Sequence, residues 1–152
     1  MDHLKILNSK EKKDILKKIN EQWDADFSTG MAMLRNNEDK LFLINPEVAT
    51  LDISKLRINS MGLYIAEEKD GRIRLSIEGS QLIGPHARKN VLEISKEEVG
   101  KWLMGEDLER QAGEKGFVLI KHSNDFLGCG CAAKGRILNY VGKNRRVSAV
   151  HE

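Results

Sequence analysis

The side chains of this chain that could do chemistry crowd toward its C-terminal end. Cys129 and Cys131 form a Cys-x-Cys pair, His122 precedes them, and Lys134, Arg136, Lys143, Arg145 and Arg146 follow. Thiolates beside imidazoles hold metal ions or act as activated nucleophiles. Clustered lysines and arginines hold polyanions, and arginine engages phosphate through two parallel hydrogen bonds. A structural zinc site takes four ligands, and no second Cys/His pair of suitable spacing accompanies this one. Strand alternation puts both thiols on one face, where a buried cysteine behaves as a small hydrophobe. The cysteines are therefore expected in the core, with no metal and no cofactor. The alternative from another class is a small enzyme using Cys129/Cys131, paired with His122 or His86.

The polyanion reading draws on Lys121, Lys134, Arg136, Lys143, Arg145 and Arg146 as phosphate donors. Gly128 and Gly130 interrupt an apolar run, where absent side chains permit a bulge or close backbone approach. That approach serves barrel packing or admits a ribose-phosphate backbone. Tyr140 lies among the basic residues and suits stacking on an unpaired base; a place in a barrel core is its other reading. Aromatic residues make up 5% of the chain, too few for a broad stacking platform. From Gly113 onward seven Lys/Arg oppose three Asp/Glu, a balance of +4, whereas eighteen oppose twenty before it, a balance of −2. A basic end on a slightly acidic body is a pattern of nucleic-acid contact. No Gly-x-Gly-x-x-Gly, phosphate-binding Gly-x-x-x-x-Gly-Lys-Ser/Thr, His-Glu-x-x-His or nucleophile elbow occurs.

The elements that must position these residues are legible as patterns. Asn8 and Glu11 have capping-box spacing, and Ile15, Leu16, Ile19 and Trp23 share a helical face. Strands are expected over 31–34 and 41–44, and Asn45-Pro46 opens a helix carrying Val48, Leu51 and Leu56. Strands over 61–66 and 73–77 flank the turn dipeptide Asp70-Gly71. A short helix starts near Glu78 and ends at Gly84-Pro85. A boundary near 87–89 precedes a strand over 91–94 and a helix opened by Ser95 and Glu98. Strands over 117–121, 126–132, 136–141 and 147–150 complete the chain. Clustered strands favour α+β over a doubly wound sheet. At 152 residues, 40% hydrophobic and 32% charged, the chain suits one ordinary domain or two small ones. No apolar run approaches the roughly 18–20 residues needed to cross a bilayer. The start, Met1-Asp-His-Leu-Lys, is too quickly charged for a secretory signal, so a cytoplasmic location is expected.

The run Gly116-Phe-Val-Leu-Ile, continued by Phe126-Leu-Gly-Cys-Gly-Cys-Ala-Ala-Lys-Gly, resembles the PUA domain, a small RNA-binding pseudo-barrel. Lys101-Trp-Leu-Met-Gly-Glu-Asp-Leu is similar to the helix and glycine that open that domain. Elements from Leu41 to Ala87 resemble the pre-PUA half of a ribosome-biogenesis family. Leu127-Gly-Cys-Gly, Gly135-Arg-Ile-Leu-Asn-Tyr and Lys143-Asn-Arg-Arg resemble the C-terminal PUA-like tail of Sun-type RNA cytosine-C5 methyltransferases. The Rossmann-like methyl-donor domain and Pro-Cys catalytic loop of those enzymes have no counterpart here.

These resemblances imply a mixed α/β N-terminal domain, residues 1–88, followed by a PUA domain, residues 89–152. They imply docking of structured RNA, an rRNA precursor or tRNA, without catalysis, in ribosome biogenesis or as an accessory to an RNA methyltransferase. Gly128 and Gly130 match the glycine-rich PUA strand, Lys134 and Arg136 follow it, and Arg145 and Arg146 match the terminal basic pair. Glu106, Asp107 and Glu109 depart from the pattern by making the opening segment acidic. A protein partner is expected through the N-terminal domain, and neither membrane nor DNA is expected.

Overall fold

The computed structural model describes residues 4–50, 62–111, 116–142 and 146. Helix α1, Ser9–Trp23, follows β1, Lys5–Ile6. Its capping box is present: Asn8 Oδ1 accepts from the Glu11 N–H at 2.8 Å, and Glu11 Oε1 accepts from the Asn8 N–H at 3.1 Å. Ile15, Ile19 and Trp23, four residues apart, form its buried stripe. Strands β2, Ala32–Arg35, β3, Lys40–Ile44, β4, Leu63–Lys69, and β5, Arg72–Leu75, pair antiparallel with β1 in the order β1-β2-β3-β4-β5. Asp70 and Gly71, both at positive φ, make the β4–β5 turn. Short helix α2, Pro46–Ala49, follows its Asn45 cap; the expected apolar residues Leu51 and Leu56 lie outside the described residues, as does the start of the strand expected from 61.

Helix α1 closes the open edge of β5. The Gln22 amide donates to the Ile73 carbonyl at 2.6 Å and accepts from the Ile73 N–H at 3.0 Å, mimicking a neighbouring strand. Glu68 ties the same helix to the sheet by pairing with Lys18 at 2.6 Å and Arg35 at 2.7 Å. Desolvation raises its carboxyl pKa, but the hydrogen bonds from Lys18 and Arg35 win and hold it below the ordinary value.

Helix α3, Ile77–Ile83, starts one residue earlier than the sequence pattern suggests, because Ser76 caps it by accepting from the Gly79 N–H at 3.0 Å. The same hydroxyl donates to the Tyr64 carbonyl at 2.7 Å. A 3-10 turn, Gly84–His86, follows. Strand β6, Val91–Glu93, then runs parallel to β7, Gly116–His122, across helix α4, Lys96–Leu103, which carries the expected Ser95/Glu98 capping box. Strands β8, Asp125–Ala133, and β9, Arg136–Asn139, complete a second sheet in the order β6-β7-β8-β9. The arrangement is α+β, a helix-bearing first half followed by a mostly β second half. The strand expected over 147–150 lies outside the described residues.

The run Phe117-Val-Leu-Ile is apolar throughout because β7 is buried on both faces. Phe117 and Leu119 enter a cluster with Ile19, Trp23, Ile65 and Ile83 from the first half. Val118 and Ile120 enter a second cluster with Trp102, Leu108, Ile137 and Val141. Packing is therefore continuous across the sequence position near 88 where two units were expected to meet.

Candidate functional site

The glycine-rich strand takes its shape from a bulge. Leu119 pairs with Cys129 and Lys121 with Phe126, so Leu127 and Gly128 together oppose Ile120. Gly128 accordingly sits at φ +91°. The two backbone groups displaced from the ladder find other partners. The Leu127 carbonyl accepts from Trp102 Nε1 at 2.8 Å, and the Gly128 N–H donates to Ser80 Oγ at 2.8 Å. The bulge is thus held from both sides by α4 and α3. Gly130 is a packing residue: a Cβ there would lie 2.4 Å from Ile137 Cγ2 and 2.8 Å from the Trp102 ring. The space it leaves is filled by the protein's own core.

Cys129 and Cys131 share a face directed at the first core cluster. Cys129 is buried, and burial pushes its thiol up to about 12, even though the Leu75 N–H points at its sulfur from 3.4 Å. The histidines weighed as partners are engaged elsewhere: His122 Nδ1 lies 2.8 Å from the Ile94 carbonyl, and His86 Nδ1 lies 3.1 Å from Asp26. Among the described residues no group of three or more His, Cys, Asp or Glu side chains could hold a metal ion.

The basic residues divide. Lys134 is exposed in the β8–β9 turn, at φ 47° beside Gly135. Arg136 opens β9 and pairs with Glu109 at 2.6 Å, which raises its pKa and offsets its charge. Arg146 lies against Gly105 and donates through Nε to the Val141 carbonyl at 3.0 Å. Arg136 and Arg146 border the acidic stretch 105–109, which lies beyond the end of α4 and pairs with β9 through Leu108 and Ile137. Asn139 fastens that stretch, donating to the Trp102 and Glu106 carbonyls at 2.9 and 2.8 Å. Lys121 does not join them. It lies over the Phe126 ring, at the end of the nine-residue β8 opposite the turn that carries Lys134, roughly 25 Å from that turn along the strand. Lys143 and Arg145 lie outside the described residues.

Tyr140 and Gly128 instead line a cleft of about 700 Å³ between the two sheets. The first half supplies Lys40, Tyr64, Glu67 and Arg74 to it, none of them singled out by the sequence analysis. Arg74 pairs with Glu67 and carries its guanidinium 4.4 Å from the Tyr140 ring centroid. Two residues earlier on the same strand face, Arg72 lies 5.7 Å from the Phe117 centroid. Burial raises the Tyr64 phenol pKa against the opposing influence of Arg74. The strand expected over 73–77 held Arg74 but left Arg72 in the preceding turn, whereas β5 starts at Arg72 and brings each arginine to an aromatic ring of the second half.

A family model for the PUA domain of methyltransferase RsmF matches residues 89–147, which span β6 through β9. This part of the chain is a PUA-like domain. The ribosomal RNA small subunit methyltransferase F of Vibrio parahaemolyticus serotype O3:K6 is 29% identical over 139 residues, covering 87% of this chain. Its counterpart in Vibrio campbellii is 27% identical over 139 residues, with the same coverage. That of Aeromonas salmonicida is 28% identical over 138 residues, covering 88% of the chain. The chain spans 28% of the length of the first two relatives and 27% of the third. The PUA-like domain thus resembles the tail of Sun-type methyltransferases, and the likeness to these relatives extends well beyond residues 89–147.

Proposed function

We propose that this chain docks structured RNA on its PUA-like domain and catalyses no reaction itself, acting in the cytoplasm in ribosome biogenesis or RNA modification. The observation that carries this reading is the match of residues 89–147 to the PUA domain of an RNA methyltransferase. On this reading residues 1–88 are a preceding α/β domain that orients the RNA or holds a protein partner, and residues 89–152 are the docking domain. The relatives are named for methylation of small-subunit ribosomal RNA, so an rRNA precursor is the favoured partner and tRNA the second. An accessory role beside a methyltransferase fits the same chemistry. The buried, weakly acidic Cys129 thiol argues against an enzyme centred on the cysteine pair.

Docking would be electrostatic, through Lys134, Arg146 and their basic neighbours in sequence. Such contacts make affinity fall with salt, and each phosphate contact removed lowers the slope of log K against log salt by roughly one. A folded K134Q/R136Q/R145Q/R146Q variant should bind an rRNA hairpin at least about tenfold more weakly at low salt, with a flatter salt dependence. Arg136→Gln alone should cost less than Lys134→Gln, because Glu109 already neutralises Arg136. Unchanged binding by the fourfold variant would sink the reading.

A further inference from the structure

We propose that the cleft between the two sheets is a composite site for one unpaired RNA base, stacked on the open face of the Tyr140 ring that Arg74 holds from the other side. This inference rests on the RNA-docking reading and assigns the base-recognising part of that function to residues of both halves.

Tyr140 is 41% exposed although Arg74 covers one side of its ring and Phe117 meets it edge-on at 6.1 Å. Much of the ring therefore remains open. Arg74 is not free to swing away, because its guanidinium is also paired with Glu67. A tyrosine held against a fixed guanidinium is a pre-organised flat surface of the kind on which single-stranded bases stack. The cleft, at about 700 Å³, lies within the range of small-ligand pockets and is large enough for a nucleoside.

Charge decides which part of a nucleotide enters. Among the described residues lining the cleft, Lys40 pairs with Glu38 and Arg74 with Glu67, so both cations are already engaged by carboxylates. A phosphate would find neither cation free, whereas amino and imino N–H groups on a base edge find carboxylate oxygens there as acceptors. The base points in, and the backbone stays outside with the basic side chains. Its recognition is therefore insensitive to salt, unlike phosphate docking.

The test compares two RNAs of equal length, a blunt duplex and a duplex with a single-stranded overhang, titrated by fluorescence anisotropy at several salt concentrations. Tyr140→Ala should weaken overhang binding about tenfold with the salt slope unchanged, and should leave duplex binding intact. Tyr140→Phe should keep overhang affinity, since the ring remains. A 2-aminopurine placed in the overhang should change fluorescence on saturation with the wild-type protein and not with Tyr140→Ala. Equal losses on both RNAs, or no loss on the overhang, would overturn the base site while leaving RNA docking in place. A mononucleotide that competes at the affinity of the overhang would overturn it in favour of a free-nucleotide pocket. Absence of saturable wild-type binding to either RNA would remove the docking reading and this site with it.

Discussion

Cys129 shows how burial sets the character of a reactive residue type. Its sulfur packs in the core shared by the two halves, and its thiol is pushed up to about 12 from an ordinary value of 9.0. Only the thiolate is a competent nucleophile. Iodoacetamide at pH 8 should therefore leave Cys129 unmodified in the native protein and alkylate it after denaturation, as read by mass spectrometry. Rapid native alkylation would contradict the burial. The same shift links to stability. Above pH 9 the unfolded chain loses this proton while the folded chain keeps it, so the contribution is complete below pH 9. It is lost progressively as pH rises from 9 toward about 12.

Helix α3 is where small side chains set the spacing of whole elements. A Cβ on Gly79 would stand 1.9 Å from the Ile65 carbonyl oxygen of β4, and Ser80 is fully buried where it accepts from the Gly128 N–H. The helix is pressed between β4 and the bulge of β8, and neither backbone neighbour can yield cheaply. Gly79→Ala should destabilise the fold by about 3 kcal/mol, lowering the thermal midpoint by roughly 10 °C. Calorimetry on the folded variant checks this; an unchanged midpoint would mean that α3 is not clamped. A helix near Glu78 could be read from the sequence, but its Ser76 cap and its tight seat could not, because Gly79 and Ile65 meet only after β4 and β5 have paired.

The molecule as a whole behaves as one packed body in the described residues, since β7 buries one face in each core cluster. Trp23 sits in the first cluster and Trp102 in the second, and the chain has two tryptophans. Single-tryptophan variants, Trp102→Phe and Trp23→Phe, therefore report each half separately. We expect each variant to give the same urea midpoint by its remaining tryptophan's fluorescence and by far-UV circular dichroism, as one cooperative transition requires. A fluorescence midpoint displaced from the circular dichroism midpoint within one variant would show two independent units.

The capping boxes of α1 and α4, the Asp70-Gly71 turn and the shared face of the cysteines were legible in the residue order, and the glycine-rich strand was marked as PUA-like by resemblance. The first three depend on spacings of one to three residues, over which backbone geometry and side-chain direction follow from local sterics. The acidic mask over Arg136, the isolation of Lys121 and the Arg74–Tyr140 pair were not legible. Arg74 and Tyr140 lie far apart in the chain, one on β5 of the first sheet and the other just past the end of β9 in the second. Their meeting depends on the stacking of those sheets through a common core, a long-range packing outcome that no local pattern encodes.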